Sequence, residues 1–301
     1  MNILITGGSG LLGQCLNIEL SKSHRIYTLY NSGEGNCINY NSSGLDIRNS
    51  EKLLELFTTF KPNIVIHAAA VSNPLIANSL DPKLVYSTNV TATKNIAELC
   101  DKFPAKLVYI STDLVYAGYR GPMLKEDAKL IPVSLYAETK LMGEVKIQET
   151  FNNFLILRCA LLYGIGIGNK RNHFQQMYES LKAGNPVKLF SDQYRTPLSF
   201  LEAARIIIKL CDKNVKTEVV NVGGKERVSR VEMGEILCSI TGFDNNLIQK
   251  ISMNDIPDYP AVEDVSLDTS KLKSYGIKQK SIGGSVEEIL ESQKVKNGWK
   301  I

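Results

Sequence analysis

Tyr136 and Lys140 stand four residues apart in Tyr136-Ala137-Glu138-Thr139-Lys140, a spacing that sets a phenol and an ammonium on one face of a helix. With 13 tyrosines in the chain, such a pair arises about once by chance, so it counts only with its surroundings. Those surroundings include a strand-like run that ends in Ser111-Thr112-Asp113 and supplies a hydroxyl. Reduction of a carbonyl leaves an alkoxide that needs a proton, and a phenol with a pKa near ~10 is a sluggish donor or acceptor at neutral pH. A nearby ammonium favours the phenolate and draws that pKa down. Thr112 would hydrogen-bond the carbonyl oxygen and fix its orientation.

A second constellation opens the chain. Thr6-Gly7-Gly8-Ser9-Gly10-Leu11-Leu12-Gly13 follows a β-branched run directly and leads into an amphipathic one. Glycines between a buried strand and a helix at this position predict a dinucleotide-binding turn. Gly7 permits the tight turn, Gly10 lets the backbone approach a pyrophosphate, and Gly13 lets helix and strand pack closely. The helix start, with Ser9, Leu11 and Leu12 around it, turns free N–H groups toward the anion. The second strand ends in Leu29-Tyr30-Asn31-Ser32, without the carboxylate that would hold the ribose hydroxyl of NAD. Asn31 and Ser32 can donate hydrogen bonds there, which favours NADP(H) and leaves NAD(H) open.

These groups need a scaffold, and the chain carries the pattern for one. Short apolar runs at Ile3 to Ile5, Ile26 to Leu29, Ile64 to Ile66, Leu107 to Ile110 and Leu155 to Leu157 read as strands buried on both faces. Between them Leu11 to Lys22, Glu51 to Phe60, Pro82 to Asp101 and Leu135 to Thr150 carry helical periodicity, with Asn49 or Ser50 as a cap for the second. Alternation of this kind predicts right-handed crossovers and a Rossmann-type, doubly wound parallel α/β sheet. The expected division is a dinucleotide-binding domain over residues 1–158 and a smaller, mainly substrate-binding α/β lobe over 159–301. Gly164, Gly166 and Gly168 mark the change, and elements from about 187 to 222 are expected to return to the sheet.

Bulk properties narrow the partners. The 301 residues carry 35 Lys and Arg against 31 Asp and Glu, a net charge of +4 with no basic stripe, so nucleic acid is not expected. The six cysteines are scattered without a Cys-x-x-Cys pair or a leader, the pattern of a reduced cytoplasmic protein. The three histidines are not spaced for metal, and no apolar run approaches the roughly 20 residues that cross a bilayer.

Glycine spacing of the form Gly-x-x-Gly-x-x-Gly, followed by Thr112, Tyr136 and Lys140, resembles the extended short-chain dehydrogenases over essentially the whole chain. That resemblance implies the Thr, Tyr, Lys triad as catalytic, with Tyr136 and Lys140 also touching the nicotinamide ribose. It further implies that Asp46 and Ile47 hold the adenine ring, that Ala68, Ala69 and Ala70 let the cofactor lie flat, and that Asn89 lies near the active site. Within the family, Asp192-Gln193-Tyr194-Arg195-Thr196-Pro197, Ser111-Thr112-Asp113-Leu114-Val115-Tyr116 and Leu267-Asp268-Thr269-Ser270-Lys271-Leu272 are similar to segments of the dTDP-4-dehydrorhamnose reductase branch. The implied reaction is NAD(P)H-dependent reduction of a 4-keto group on a nucleotide-activated deoxysugar, with a homodimer left open. Asp113 and Arg195 are then expected at the substrate. Arg195 and Leu198 depart from the branch pattern, and Pro260-Ala261-Val262-Glu263-Asp264 replaces a segment that usually brings an arginine. A sugar-nucleotide diphosphate needs cations, for which Arg158, Arg195, Arg227 and Arg230 are the candidates, with Arg195 preferred because it lies within a branch segment. A 4,6-dehydratase would need an acidic pair after the threonine, and Leu114 follows Asp113 instead. A 4-epimerase with tightly held NAD, and a binding protein like the regulatory subunit of methionine adenosyltransferase, stay open.

Overall fold

The computed structural model describes residues 1–119, 121–166, 171–213, 215–256 and 262–298. Gly168, Pro260 and Ala261, singled out above, lie outside them. One parallel sheet contains β1 (Asn2–Thr6), β2 (Arg25–Tyr30), β3 (Ser42–Gly44), β4 (Ile64–His67), β5 (Lys106–Thr112), β6 (Phe154–Cys159) and a late strand, β11 (Glu218–Val222). Alternation along each strand decides the layering. Ile3 and Ile5 of β1 enter one apolar cluster and Leu4 the opposite one, and Val108 of β5 parts in the same way from Leu107 and Tyr109. A sheet whose strands bury both faces must be covered by helices on both sides.

Helices α1 (Leu11–Leu20) and α8 (Phe200–Cys211) close the first face, and α2 (Ser50–Phe60), α5 (Ala92–Lys102) and α6 (Leu135–Thr150) the second. Asn49 caps α2 by accepting the Lys52 amide, Ser134 caps α6 through Ala137, and Ser199 caps α8 through Glu202. The strand order β11-β6-β5-β4-β1-β2-β3 reverses direction between β1 and β4. In doubly wound sheets that switch point, at the carboxyl ends of the strands, is where a ligand crevice opens.

Two local features differ from the periodicity. Ser42–Gly44 forms β3 at the sheet edge although Ser-Ser-Gly has no strand signal; its pairing with Thr28 to Tyr30 makes it a strand. The helix expected from Pro82 to Asp101 is α4 (Pro82–Tyr86) and α5 joined by a π-turn at Ser87–Thr91. That turn holds Asn89, whose amide is bonded to the backbone of Val71 and to Thr139, contacts that draw the extra residue inward. Pro74–Ser79 (α3) precedes it.

The second lobe is built from short pairs: β7 (Leu162–Tyr163) with β10 (Leu198–Ser199), β8 (Val187–Phe190) with β13 (Ile248–Ile251), and β9 (Tyr194–Arg195) with β12 (Val228–Ser229). The stretch from 187, expected to return to the large sheet, therefore pairs with Ile248–Ile251 instead; only β11 joins the sheet, beside β6. Apolar faces of α7 (His173–Lys182), α9 (Arg230–Thr241) and α11 (Ile282–Gly298) share a separate cluster, and α10 (Ser270–Ser274) packs near β11. Among the described residues no helix is long and apolar enough to cross a membrane.

Candidate active site

The glycine turn has little room for anything but glycine. Gly7 has φ of +73°, and a Cβ there would stand 2.7 Å from the Ala69 nitrogen. At Gly13 a Cβ would strike the Gly7 carbonyl oxygen and the Gly8 backbone. Gly8, which the glycine spacing left unassigned, is equally constrained: its amide donates to the Leu29 carbonyl (2.8 Å), and a Cβ would collide with Thr28. The Gly7-Gly8 doublet was the available signal. Gly10 caps α1 with no side chain to satisfy the first amides, and Gly10, Leu11, Leu12 and Gly13 line a cavity of about 870 Å³. Small-residue walls and unsatisfied helix-start amides are what a pyrophosphate needs, so the residues present fit a dinucleotide. Ala68 and Ala70 line the same cavity, whereas Ser9 and Ala69 are not part of its lining.

The residues expected at the adenosine end lie outside that cavity. Asn31 and Ser32 are exposed just beyond β2. Ile47 is 6% exposed and packs under the sheet, which leaves its backbone for contact. Asp46 is gripped by Arg48, with Nη2 2.5 Å from Oδ2, and that contact holds its carboxyl below the usual range. Arg48 is a cation the sequence reading missed, because it follows β3 and not β2. The Leu45 amide bonds the Tyr30 carbonyl (2.8 Å) and so brings this loop beside Asn31.

Thr112 ends β5, and Tyr136 and Lys140 lie on the first two turns of α6; all three line the cavity. They are deeply placed, at 6%, 9% and 2% exposure. Burial pushes the Tyr136 phenol above its ordinary range, and a hydrogen bond with Thr112 only partly offsets the rise. Burial drives the Lys140 ammonium down to about 7 against the attraction of Glu144. Its Nζ lies 3.9 Å from the centroid of the Tyr109 ring, a cation–π contact that replaces part of its lost hydration.

Buried side chains hold α6 against the sheet. Glu144, one turn past Lys140, takes a two-point ion pair from Arg158 (2.8 and 3.1 Å) and a bond from Ser111. Arg158 also donates to the Tyr116 hydroxyl (2.9 Å). At Gly143 a side chain would meet the Tyr109 hydroxyl and come within 3.1 Å of the Asn89 carbonyl. His67 lies beneath, between Thr6 (2.7 Å) and Thr93 (2.9 Å). The Thr93 hydroxyl donates to the Asn89 carbonyl, so it accepts from Nε2–H, and Nδ1 accepts from Thr6. Burial, with the Lys140 charge second, lowers His67 to about 3 and keeps it neutral.

Across the cavity stands the second lobe. Asp113 is 3% exposed, and the Arg195 Nε is 3.7 Å from its Oδ2. Arg195 donates to the carbonyls of Tyr194 (2.8 Å) and Val262 (3.3 Å), so it is anchored deep, beside the triad. Arg230 also lines the cavity and bonds the Gln193 side chain (3.1 Å). Arg171 and His173 join them, and nothing in their spacing had marked them. Two arginines raised as diphosphate candidates are committed elsewhere: Arg158 to Glu144, and Arg227 to Asp264 (2.7 Å) and the Tyr194 ring. No group of three His, Cys, Asp or Glu side chains suited to a metal gathers among the described residues.

A doubly wound sheet with a glycine turn at its switch point and a Tyr, Lys pair on the helix beside it defines an NAD(P)-dependent oxidoreductase of the short-chain dehydrogenase type. Residues 1–295 match the family model described as the RmlD substrate binding domain, and the chain belongs to that family. It is 30% identical over 264 residues to a probable low-salt glycan biosynthesis reductase of Haloferax volcanii, covering 87% of each chain. It is 25% identical over 287 residues to methionine adenosyltransferase 2 subunit beta of Xenopus laevis, covering 92% of this chain and 83% of that one. The crystal structure of dTDP-4-dehydrorhamnose reductase from Bacillus anthracis in complex with NADP has a TM-score of 0.85 at 25% identity, over 97% of this chain and 99% of that one. Across its length the chain is thus similar to sugar-nucleotide reductases of dTDP-4-dehydrorhamnose reductase type.

Proposed function

We propose that this protein reduces the 4-keto group of a nucleotide-activated 6-deoxysugar, with NADPH as the preferred cofactor and NADH as the alternative. The observation that carries the reading is a single cavity lined at once by the glycine turn, by Thr112, Tyr136 and Lys140, and by arginines of the second lobe.

A bound reduced nicotinamide supplies hydride to the carbonyl carbon. The chain's own residues manage the oxygen. Thr112 orients it, and Tyr136, kept protonated by burial, gives its phenolic proton to the alkoxide as it forms. Lys140 would hold the nicotinamide ribose and, once charged, stabilise the phenolate that Tyr136 leaves behind. Gly7, Ser9, Gly10, Leu11, Leu12 and Gly13 would carry the pyrophosphate; Asp46 and Ile47 would flank the adenine, and Ala68 to Ala70 the nicotinamide half. Asn31 and Ser32, with Arg48 alongside, suit a 2′-phosphate better than a bare ribose. Arg230, with Arg171 and His173, faces the diphosphate of the sugar nucleotide, while Arg195 and Asp113 face the sugar.

Likeness to methionine adenosyltransferase 2 subunit beta supports a second reading, a cofactor-binding regulatory subunit. Incubation with NADPH and 4-keto-6-deoxyhexoses linked to dTDP, UDP or GDP separates the two. The reductase reading predicts NADPH oxidation matched mole for mole by a 4-hydroxy sugar. Cofactor binding with no oxidation across the panel would favour the regulatory reading.

A further inference from the structure

Asn17 is fully buried on the face of α1 that also buries Leu16 and Leu20, a place where an apolar side chain would carry no desolvation cost. Its Oδ1 is buried without a hydrogen-bond partner, so an amide here leaves an acceptor unsatisfied. Its Nδ2, in contrast, is fully used. It donates to the Gly8 carbonyl (3.1 Å) and to Asn36 Oδ1 (2.9 Å), with the Cys37 sulfur alongside (3.7 Å). Asn36 in turn donates from Nδ2 to the Gln14 carbonyl (3.0 Å), and Gln14 Nε2 donates to the Ser9 carbonyl (3.0 Å). Gly35, with φ of +54°, brings this loop against the glycine turn: a Cβ there would stand 3.2 Å from the Ser9 Cα.

We infer that Asn17 is a positioning residue for the cofactor: its amide ties the glycine turn to the loop after β2, so that the pyrophosphate cradle and the residues expected at the adenosine ribose are held as one piece. This rests on dinucleotide binding at the turn and not on the identity of the sugar. The basis is peptide geometry. In a trans peptide the C=O and N–H point in opposite directions, so fixing the Gly8 oxygen also fixes the direction of the Ser9 N–H. Gln14 does the same for the next peptide, whose Gly10 N–H meets the Gly7 carbonyl (2.9 Å). The path into the first amides of α1 is thereby set before any ligand arrives. The same Nδ2 holds Asn36, four residues past the exposed Ser32, and so anchors a loop whose outer residues are in solvent. A site ordered in advance binds more tightly, because less binding free energy goes into ordering it. Thr112, Tyr136 and Lys140 stand on β5 and α6 instead, so the effect belongs to cofactor affinity and not to the chemical step.

Asn17→Leu and Asn36→Ser, singly and combined, test this by NADPH fluorescence titration, with turnover of 4-keto sugar nucleotides measured on the same samples. Each single substitution should raise the NADPH Kd about 10-fold, and the double variant should bind less than about twofold more weakly than Asn17→Leu, because both changes break one tie. The loss should fall on the KM for NADPH, with kcat at saturating NADPH within about twofold of the unmodified protein. An unchanged Kd, losses that multiply in the double variant, or a kcat that falls with the affinity would overturn the proposal. A merely structural role would lower the unfolding temperature of the cofactor-free protein and leave the Kd where it was. Asn36 lies in a loop, so Asn36→Ser reports on the tie even if Asn17→Leu folds poorly. NADPH binding without turnover by the unmodified protein removes the reductase reading alone, since the Kd comparison still decides the role of Asn17.

Discussion

At the scale of single residues, the site combines groups whose burial opposes their charge. Lys140 and Asp113 are both pushed toward their neutral forms, Lys140 to about 7 and Asp113 to about 6. His67 is the simplest case, because its neutral ring is bonded on both sides and has no acid beside it. Its folded pKa of about 3 lies below the ordinary 6.5, so between these values the unfolded chain binds a proton that the folded chain refuses. His67 therefore favours folding above about pH 6.5, and that contribution is lost as pH falls. The stability difference between the unmodified protein and His67→Asn should shrink by about 2 kcal/mol from pH 7 to pH 5, measured by urea unfolding. A constant difference would mean that the ring titrates alike in both states.

At the scale of elements, α6 decides whether the triad is assembled, and Gly143 decides where α6 lies. A methyl at that position must displace either Tyr109, which carries the Lys140 contact, or the π-turn at Asn89. Gly143→Ala should cost about 1–3 kcal/mol in thermal unfolding and lower kcat more than it raises the cofactor Kd. Unchanged kcat would show that α6 tolerates the shift. The helix itself was legible, since Ser134 caps it and the Tyr, Lys spacing follows; so were the five inner strands, whose apolar runs are continuous. What escaped were features that tertiary contacts create. Ser42–Gly44 is a strand only because β2 offers it an edge, and the π-turn exists because Asn89 reaches Val71 and Thr139. The stretch at 187 had strand periodicity but no information on its partner. Arg48 was missed because it approaches from the neighbouring strand.

At the scale of the molecule, the cavity lies between a sheet that binds cofactor and a lobe that brings positive charge. Arg230 leads α9 from the second lobe, bonds Gln193 and acts through its charge on Asp113 and His173, so it brings positive charge to the cavity from outside the triad. Arg230→Gln should weaken nucleotide-sugar binding about 10-fold or more, reduce its salt dependence and leave the NADPH affinity unchanged, all read by titration at two ionic strengths. Equal loss of both ligands would point to a lobe that has shifted as a whole. The central claim is that Tyr136 serves a hydride reduction in this cavity, and isotope transfer tests it most directly. NADPH deuterated at its transferable position is incubated with a dTDP-linked 4-keto-6-deoxyhexose, and the product is examined by NMR. The unmodified protein should place deuterium on sugar carbon 4, and Tyr136→Phe should do so at least about 100-fold more slowly while binding the cofactor normally. Absence of transfer, sugar interconversion without deuterium, or full-rate transfer by Tyr136→Phe would contradict it.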